Sequence, residues 1–392
     1  MLDLLWLLLP VAAASGWYAA RRTARKKANA RECFPFMSNR YIRGLNYLLN
    51  EQQDKALEVF IEMVEVDSET VETHLVLGNL FRRRGEVDRA IRIHQNLIAR
   101  PNLERGQKVQ ALLELGRDYM KAGLLDRAEG VFNELITLGA ETSEPYRLLR
   151  DLYEQEREWE RAIETAQKYE KYRKKSQNEI IAQYYCEIAE IDENQGAIAS
   201  AAATARKAQG FDKNNVRANL ILARCEIKNG EYKRAIKHLS SALDQNPSFF
   251  PVILPTVKEV FAKTGKSGAL EKFLLQASKI YDGPSLINAQ TDLLIEQNRS
   301  AEAREKLENQ LAIKKFTPEL IRRFTNLMGG EQVTSVPESL SRAINVMAEL
   351  EHEEFAYRCK HCGFEAMSLF WHCPSCNQWN TVHPKDNWME RH

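Results

Sequence analysis

The sequence predicts an all-α fold: a solenoid of helix-turn-helix repeats with an N-terminal transmembrane helix and a small C-terminal metal knuckle domain. Three observations carry this prediction. Alanines recur at Ala56, Ala90, Ala128, Ala162, Ala201, Ala235, Ala269 and Ala303, in steps of 34, 38, 34, 39, 34, 34 and 34 residues. The 17 residues after Asp3 run without a charge, and four of the seven cysteines crowd into residues 359–376. The chain divides accordingly into an anchor (1–20), a basic juxtamembrane linker (21–35), about eight repeats (36–312), capping helices (313–352) and a metal-binding domain (353–385).

The first twenty residues are at the lower limit for crossing a bilayer as a helix, with Trp6, Trp17 and Tyr18 suited to its interfaces. Arg21, Arg22, Arg25, Lys26, Lys27 and Arg31 follow at once. A cleaved signal peptide would carry its positive charge before the apolar run, where this chain has Asp3. The asymmetry predicts an uncleaved single-pass anchor with the body of the protein on the cytoplasmic side. The basic linker can rest on anionic headgroups or serve as a topology signal alone.

Twelve residues before each ladder alanine stand Gly44, Gly78, Gly116, Arg150, Ala189, Ala223, Val257 and Thr291, small in five of the eight cases. Two short helices approach closely where side chains are small, and each pair must bury its other face on the next pair. A period near 34 with this pairing resembles the tetratricopeptide repeat. Phe81 and Tyr119 supply the large residue three after the small one. Gly85, Gly123, Gly196 and Gly230 fall in the turn between the two helices, where a left-handed backbone suits glycine. Arg150, Val257 and Thr291 break the rule, so their repeats are expected to pack more loosely or to tilt. The extra residues in the 38 and 39 steps are expected as loop insertions before the third and fifth repeats. Pro318, Gly329, Gly330 and Pro337 interrupt the period in the capping region.

Charged residues make up 28 % of the chain with a net charge of +1, so no global basic field exists to hold nucleic acid. Thr264-Gly-Lys-Ser267 has the ending of a phosphate-binding loop, but Val260 stands where the motif needs glycine and no strand precedes it. It reads as the inter-helix turn of the seventh repeat. No serine, histidine and acid arrangement stands out, and the chain is read as a binding protein and not as an enzyme.

Cys359-Lys-His-Cys362 and Cys373-Pro-Ser-Cys376 are separated by ten residues. Each C-x-x-C pair makes a tight turn offering two sulfurs, and two such turns complete a tetrahedral tetrathiolate site for one metal ion. Gly363 and Asn377 can take the positive φ such turns require. The motifs look like the iron-binding knuckles of rubredoxin. The shorter gap, and Asn377 in place of glycine, equally suit a zinc ribbon, so iron and zinc both remain open. His361 and His372 adjoin ligand cysteines, but four thiolates already complete the shell. Phe355, Tyr357, Phe364, Phe370, Trp371 and Trp379 supply the aromatic packing that a domain of about thirty residues needs beside its metal.

Tetratricopeptide arrays bind partners through their first helices, at the residue after the small position and those four and five beyond it. Here these are Asn79, Arg82, Arg83, Arg117 and Lys121, then Asp151, Glu154, Glu190 and Glu193, then Arg224 and Lys228. A groove running basic, acidic, basic would steer a partner of complementary charge; a plain solvated face is the alternative.

Anchor, basic flank, about eight repeats and a terminal knuckle, in that order, resemble the lipopolysaccharide assembly protein B family of Gram-negative bacteria. The residues carrying the likeness are Leu7-Leu-Leu-Pro-Val-Ala-Ala-Ala14, Gly78-Asn-Leu-Phe81, Arg84-Gly-Glu-Val-Asp-Arg-Ala-Ile-Arg-Ile-His-Gln95, Leu115-Gly-Arg-Asp-Tyr-Met120 and Trp371-His-Cys-Pro-Ser-Cys376. The resemblance implies a non-enzymatic regulator of lipid A synthesis in the bacterial inner membrane, its N-terminus periplasmic. It would bring the UDP-acyl-N-acetylglucosamine deacetylase to the membrane-bound AAA protease for degradation. It further implies contact with lipopolysaccharide assembly and synthesis proteins and with a lipopolysaccharide-sensing inner-membrane protein. The resemblance places the metal on Cys359, Cys362, Cys373 and Cys376, with iron its usual identity and zinc the runner-up. The knuckle is expected to pack against the last helices and fix that end of the array. A scaffold that assembles the biosynthetic enzymes without proteolysis is the alternative function, an electron-transfer role is a remoter one, and the sequence leaves a homodimer open.

Overall fold

A computed structural model describes residues 39–50, 52–66, 71–139, 142–265, 267–313, 315, 317–328, 342–347 and 356–386. The anchor at 1–20, the linker at 21–35 and Cys33 lie outside the described residues. Among the described residues no helix is long and apolar enough to cross a membrane.

Each of the eight ladder alanines lies in the second helix of a pair. The pairs are α1 (Asn39–Leu49) with α2 (Gln53–Val66), α3 (Val71–Arg83) with α4 (Val87–Ile98), α5 (Arg105–Lys121) with α6 (Leu125–Thr137), and α7 (Glu144–Glu156) with α8 (Trp159–Arg173). They continue as α9 (Asn178–Asn194) with α10 (Ile198–Phe211), α11 (Val216–Lys228) with α12 (Tyr232–Gln245), α13 (Phe250–Thr264) with α14 (Ser267–Ala277), and α15 (Pro284–Glu296) with α16 (Ser300–Ala312). A 3-10 turn, Pro247–Phe249, precedes α13, and α17 (Pro318–Met328) follows the last pair. The chain forms two compact units, Met1–Leu152 and Tyr153–His392, which divide within α7 two residues after Arg150.

In the first unit the small positions are steric necessities. A Cβ on Gly116 would sit 2.3 Å from the Phe132 ring, and one on Gly78 would sit 2.5 Å from the His94 ring. Glycine in one helix thus makes room for a ring in its partner, sixteen residues on. Ala56, Leu57, Phe60, Leu77, Leu80, Phe81 and Ala90 form the core beneath these contacts. Gly85 and Gly123 close the inter-helix turns at φ +84° and +74°, where a side chain is strained.

The expected loop insertions are absent, and the extra residues lengthen the first helices. Both α5 and α9 have 17 residues where α3 and α11 have 13. Four residues are about one α-helical turn, so the addition extends the helix without rotating its buried face.

In the second unit Val257 and Thr291 are fully buried, yet the helix pairs that carry them, α13 with α14 and α15 with α16, meet less extensively than the pairs with a small residue at this position, the looser packing that was expected. The Thr291 hydroxyl donates to the Ile287 carbonyl of its own helix at 2.9 Å, which satisfies its polar group in the core. Phe249, Phe250, Ile253, Val257, Leu286 and Leu293 belong to one apolar cluster that continues back to Val216 and Leu220. Of the capping region, α17 and residues 342–347 are helical, and 329–341 and 348–352 lie outside the described residues. The C-terminal domain is a three-stranded antiparallel sheet, ordered β2-β1-β3, of β1 (Tyr357–Cys359), β2 (Glu365–Ala366) and β3 (Val382–Pro384).

Candidate metal centre and the helices it docks on

The two knuckles share one backbone pattern. The N–H of Cys359 donates to the Phe364 carbonyl and the N–H of Gly363 to the Cys359 carbonyl; likewise Cys373 donates to Gln378 and Asn377 to Cys373. Gly363 and Asn377 hold φ of +79° and +53°, the positive values expected of them. Each turn thereby aims two sulfurs at a common point.

The four sulfurs lie within 4.8 Å of one another. Cys359 and Cys376 Sγ are 3.8 Å apart, and Cys362 and Cys373 Sγ 3.7 Å. A tetrahedron with metal–sulfur bonds of about 2.3 Å has edges of about 3.8 Å, while a disulfide needs about 2.05 Å. The residues therefore fit one tetrahedral metal ion. Cys359 and Cys373 are buried and Cys362 is exposed. Burial pushes the Cys359 thiol up, but the Thr381 hydroxyl and the N–H groups of Cys362 and His361 outweigh it and hold the thiol at about 6. Burial, reinforced by the other three sulfurs, pushes Cys376 up to about 12. A cluster that resists loading with negative charge in this way is relieved by a cation at its centre. By contrast, burial lifts the Cys186 thiol to about 12 and raises Cys225, which leaves both as core residues.

The knuckle packs mainly on the fourth to seventh repeats within its unit, and reaches the last helix pair, where it was expected to sit, only at the start of α15. The indole N–H of Trp379 donates to Glu154 Oε1 at 3.1 Å, and the Tyr184 hydroxyl donates to Glu154 Oε2 at 2.7 Å. His372 Nε2 lies 2.8 Å from Glu154 Oε1, close enough for an ion pair but off line for a hydrogen bond. Burial pushes the His372 pKa down, and the Glu154 carboxylate outweighs that to leave it raised. Trp379 meets Trp159 and Tyr184 edge-on. Trp371 stacks on Phe249 at 5.3 Å with its ring 5.7 Å from the Arg217 guanidinium. Farther along, Asp386 accepts from the Tyr281 hydroxyl and from the N–H and hydroxyl of Ser285, at the start of α15.

The other groove residues are largely engaged within the array. In the first unit Arg82 reaches Asn79, Glu114 and Asp118, and Asp118 also holds buried His94 at 2.5 Å. Arg117 pairs with Glu114 and Glu144, and Asp151 with Arg147 and Arg150. Arg83 and Lys121 are exposed. In the second unit Glu190 pairs with Arg217 and Arg224, and Glu193 with Arg224 and Lys228. The acidic block of α9 and the basic block of α11 therefore face each other as rungs. Arg217, Asp118 and Phe249 fall outside the positions selected by repeat register, and their importance emerges from packing between repeats.

The family models agree with this architecture. A family model described as rubredoxin metal binding domain matches residues 357–384, and tetratricopeptide repeat models match 73–106 and 194–252. The crystal structure of MamA aligns at 23% identity over 46% of this chain and 94% of that chain, with a TM-score of 0.33. Lipopolysaccharide assembly protein B of Escherichia coli K12 is 37% identical over 388 residues, 98% of each chain. The protein of the same name from Haemophilus influenzae Rd is 35% identical over 396 residues, 99% of each chain. With relatives this similar from end to end, the chain belongs to the lipopolysaccharide assembly protein B family.

Proposed function

We propose that this protein is a non-enzymatic inner-membrane adaptor that limits lipid A synthesis by promoting degradation of the UDP-acyl-N-acetylglucosamine deacetylase by the membrane-bound AAA protease. The end-to-end identity to lipopolysaccharide assembly protein B carries the reading. The fold supports it, because stacked helix pairs offer an extended binding face, with Arg83 and Lys121 exposed on first helices. Residues 1–20 would hold the chain in the plane of the protease with its body cytoplasmic, raising the effective concentration of enzyme and protease together. Lipopolysaccharide assembly proteins and a lipopolysaccharide-sensing membrane protein complete the proposed partners.

The metal proposed for the four cysteines is iron, on the likeness to rubredoxin, with zinc the alternative; tetrahedral sulfur sites accept either. Metal analysis of the purified chain decides between them. The half-life of the deacetylase, with this protein present and depleted, tests the function. A longer half-life on depletion supports the adaptor. An unchanged one favours the scaffold reading, which the word assembly in the relatives' names suggests.

A further inference from the structure

The two knuckles are alike in hydrogen bonding, and the residues between their cysteines are exposed in both, but their flanks differ. Lys360, His361, Cys362 and Gly363 of the first are exposed. The second, between Cys373 and Cys376, is flanked by the side chains that meet the repeats: Trp371 and His372 on one side and Trp379 on the other. The bridge between His372 and Trp379 and the Asn380 N–H to Trp371 carbonyl bond tie those flanks together. The turn that holds two metal ligands is thus the turn that presents the docking surface.

The knuckle has little else to hold it. Its buried cluster consists of Cys359, Cys373 and Val382, with Tyr357, Phe364, Leu369 and Cys376 packed around them. For so small a core, metal binding free energy is folding free energy. Docking on the repeats stabilises the same folded form of the turn, so the two are linked. Whatever favours the docked turn must also favour the metal-holding turn, by the same factor in each direction.

We infer that Glu154, together with Arg217 and Phe249, acts as a set of positioning residues for the metal, holding it from the repeat helices through Trp379 and Trp371. The metal in turn keeps these three residues covered by the chain's own knuckle. This rests on the four cysteines holding a metal and is independent of the identity of any partner.

The test follows metal loss from the full-length, metal-loaded chain in excess chelator. Glu154→Ala and Phe249→Ala are expected to release metal about tenfold faster than wild type, in line with the effect of outer groups on metal sites. Met367→Ala, on an exposed part of the knuckle, is expected to release at the wild-type rate. Glu154→Gln keeps an acceptor for the Trp379 N–H and is expected to restore most of the retention even where Phe249→Ala disturbs the core. Helical circular dichroism should be unchanged in Glu154→Ala, which separates positioning from general unfolding. In the metal-depleted wild type, amide exchange should rise at the Glu154 end of α7 and in α9 and α11. Equal release from wild type, Glu154→Ala and Phe249→Ala would overturn the proposal. A wild-type chain that binds no metal would instead overturn the metal assignment beneath it.

Discussion

Trp379 donates its indole N–H to Glu154 across a sequence separation of 225 residues. Glu154 occupies a first-helix position at which arrays of this kind receive their partners, and here the chain's own knuckle takes it. The charge pattern of the groove is altered in the same way. Glu187, Glu190 and Glu193 of α9 are met by Arg217, Arg224 and Lys228 of α11, so charges that look available in sequence are spent on joining adjacent repeats.

Arg217 is the central rung of that contact. Its side chain is 3% exposed and contacts Glu187 and Glu190 at 2.7 and 2.6 Å. Arg217→Ala leaves two partly buried carboxylates without their main partner. Because both keep some access to water, the expected loss is about 2–3 kcal/mol, below the roughly 3–5 for a fully buried pair. Arg217→Lys should recover part of it, since an ammonium cannot reproduce the planar fork. Urea unfolding of the second unit, followed through its tryptophans, measures both.

The glycines separate two mechanisms of destabilisation. Gly116→Ala drives a methyl into Phe132, and overpacking of this kind costs about 1–3 kcal/mol. Phe132→Leu in the same chain should relieve part of the cost. Gly85→Ala meets nothing within 4 Å, yet its φ of +84° imposes about 1 kcal/mol of backbone strain. No second-site side-chain change should relieve that. Chemical denaturation of the single and double variants distinguishes the cases.

These examples show what the sequence made legible. Every repeat must solve the same close helix contact, so the small residues recur and the period is visible. Turn glycines are visible for the same reason, whereas Arg157 and Asn298 adopt φ of +59° at the corresponding turns without a compositional mark. An added helical turn and an added loop have the same length in sequence, which is why lengthening of α5 and α9 read as insertion. The four metal ligands were legible because two local spacings define them. The seat of the knuckle was not, since nothing periodic links Trp371 to Phe249 or Trp379 to Glu154.

Acid should weaken the first unit at a definable place. Hydrogen bonding to Arg147, opposed by burial and reinforced by Arg117, lowers the Glu144 pKa from 4.5 to about 2. A carboxylate lowered on folding contributes stability that is fully present above its unfolded value and is lost as pH falls through the folded one. The contribution of Glu144 is therefore present above pH 4.5 and declines towards pH 2. Between pH 5 and pH 3 the unfolding midpoint of wild type should fall more than that of Glu144→Gln, which has no proton to gain. Parallel curves for the two chains would exclude Glu144 as a source of the acid sensitivity.

The cysteines should not be equivalent. Cys373 is fully buried beside the docking aromatics, and its replacement by serine puts a poor ligand in the turn that carries Trp371 and His372. Cys373→Ser is expected to lose the metal, release the knuckle and, on the proposed function, abolish regulation, and Cys359→Ser, 1% exposed, should behave alike. Cys362 is exposed on the outward knuckle. Three protein ligands with water in the fourth position form a workable tetrahedral site, so Cys362→Ser should retain metal, more weakly, and remain docked. Metal stoichiometry with tryptophan fluorescence of the three variants gives the order. Equal loss of metal and docking in all three would mean that the outward knuckle is as indispensable as the docked one.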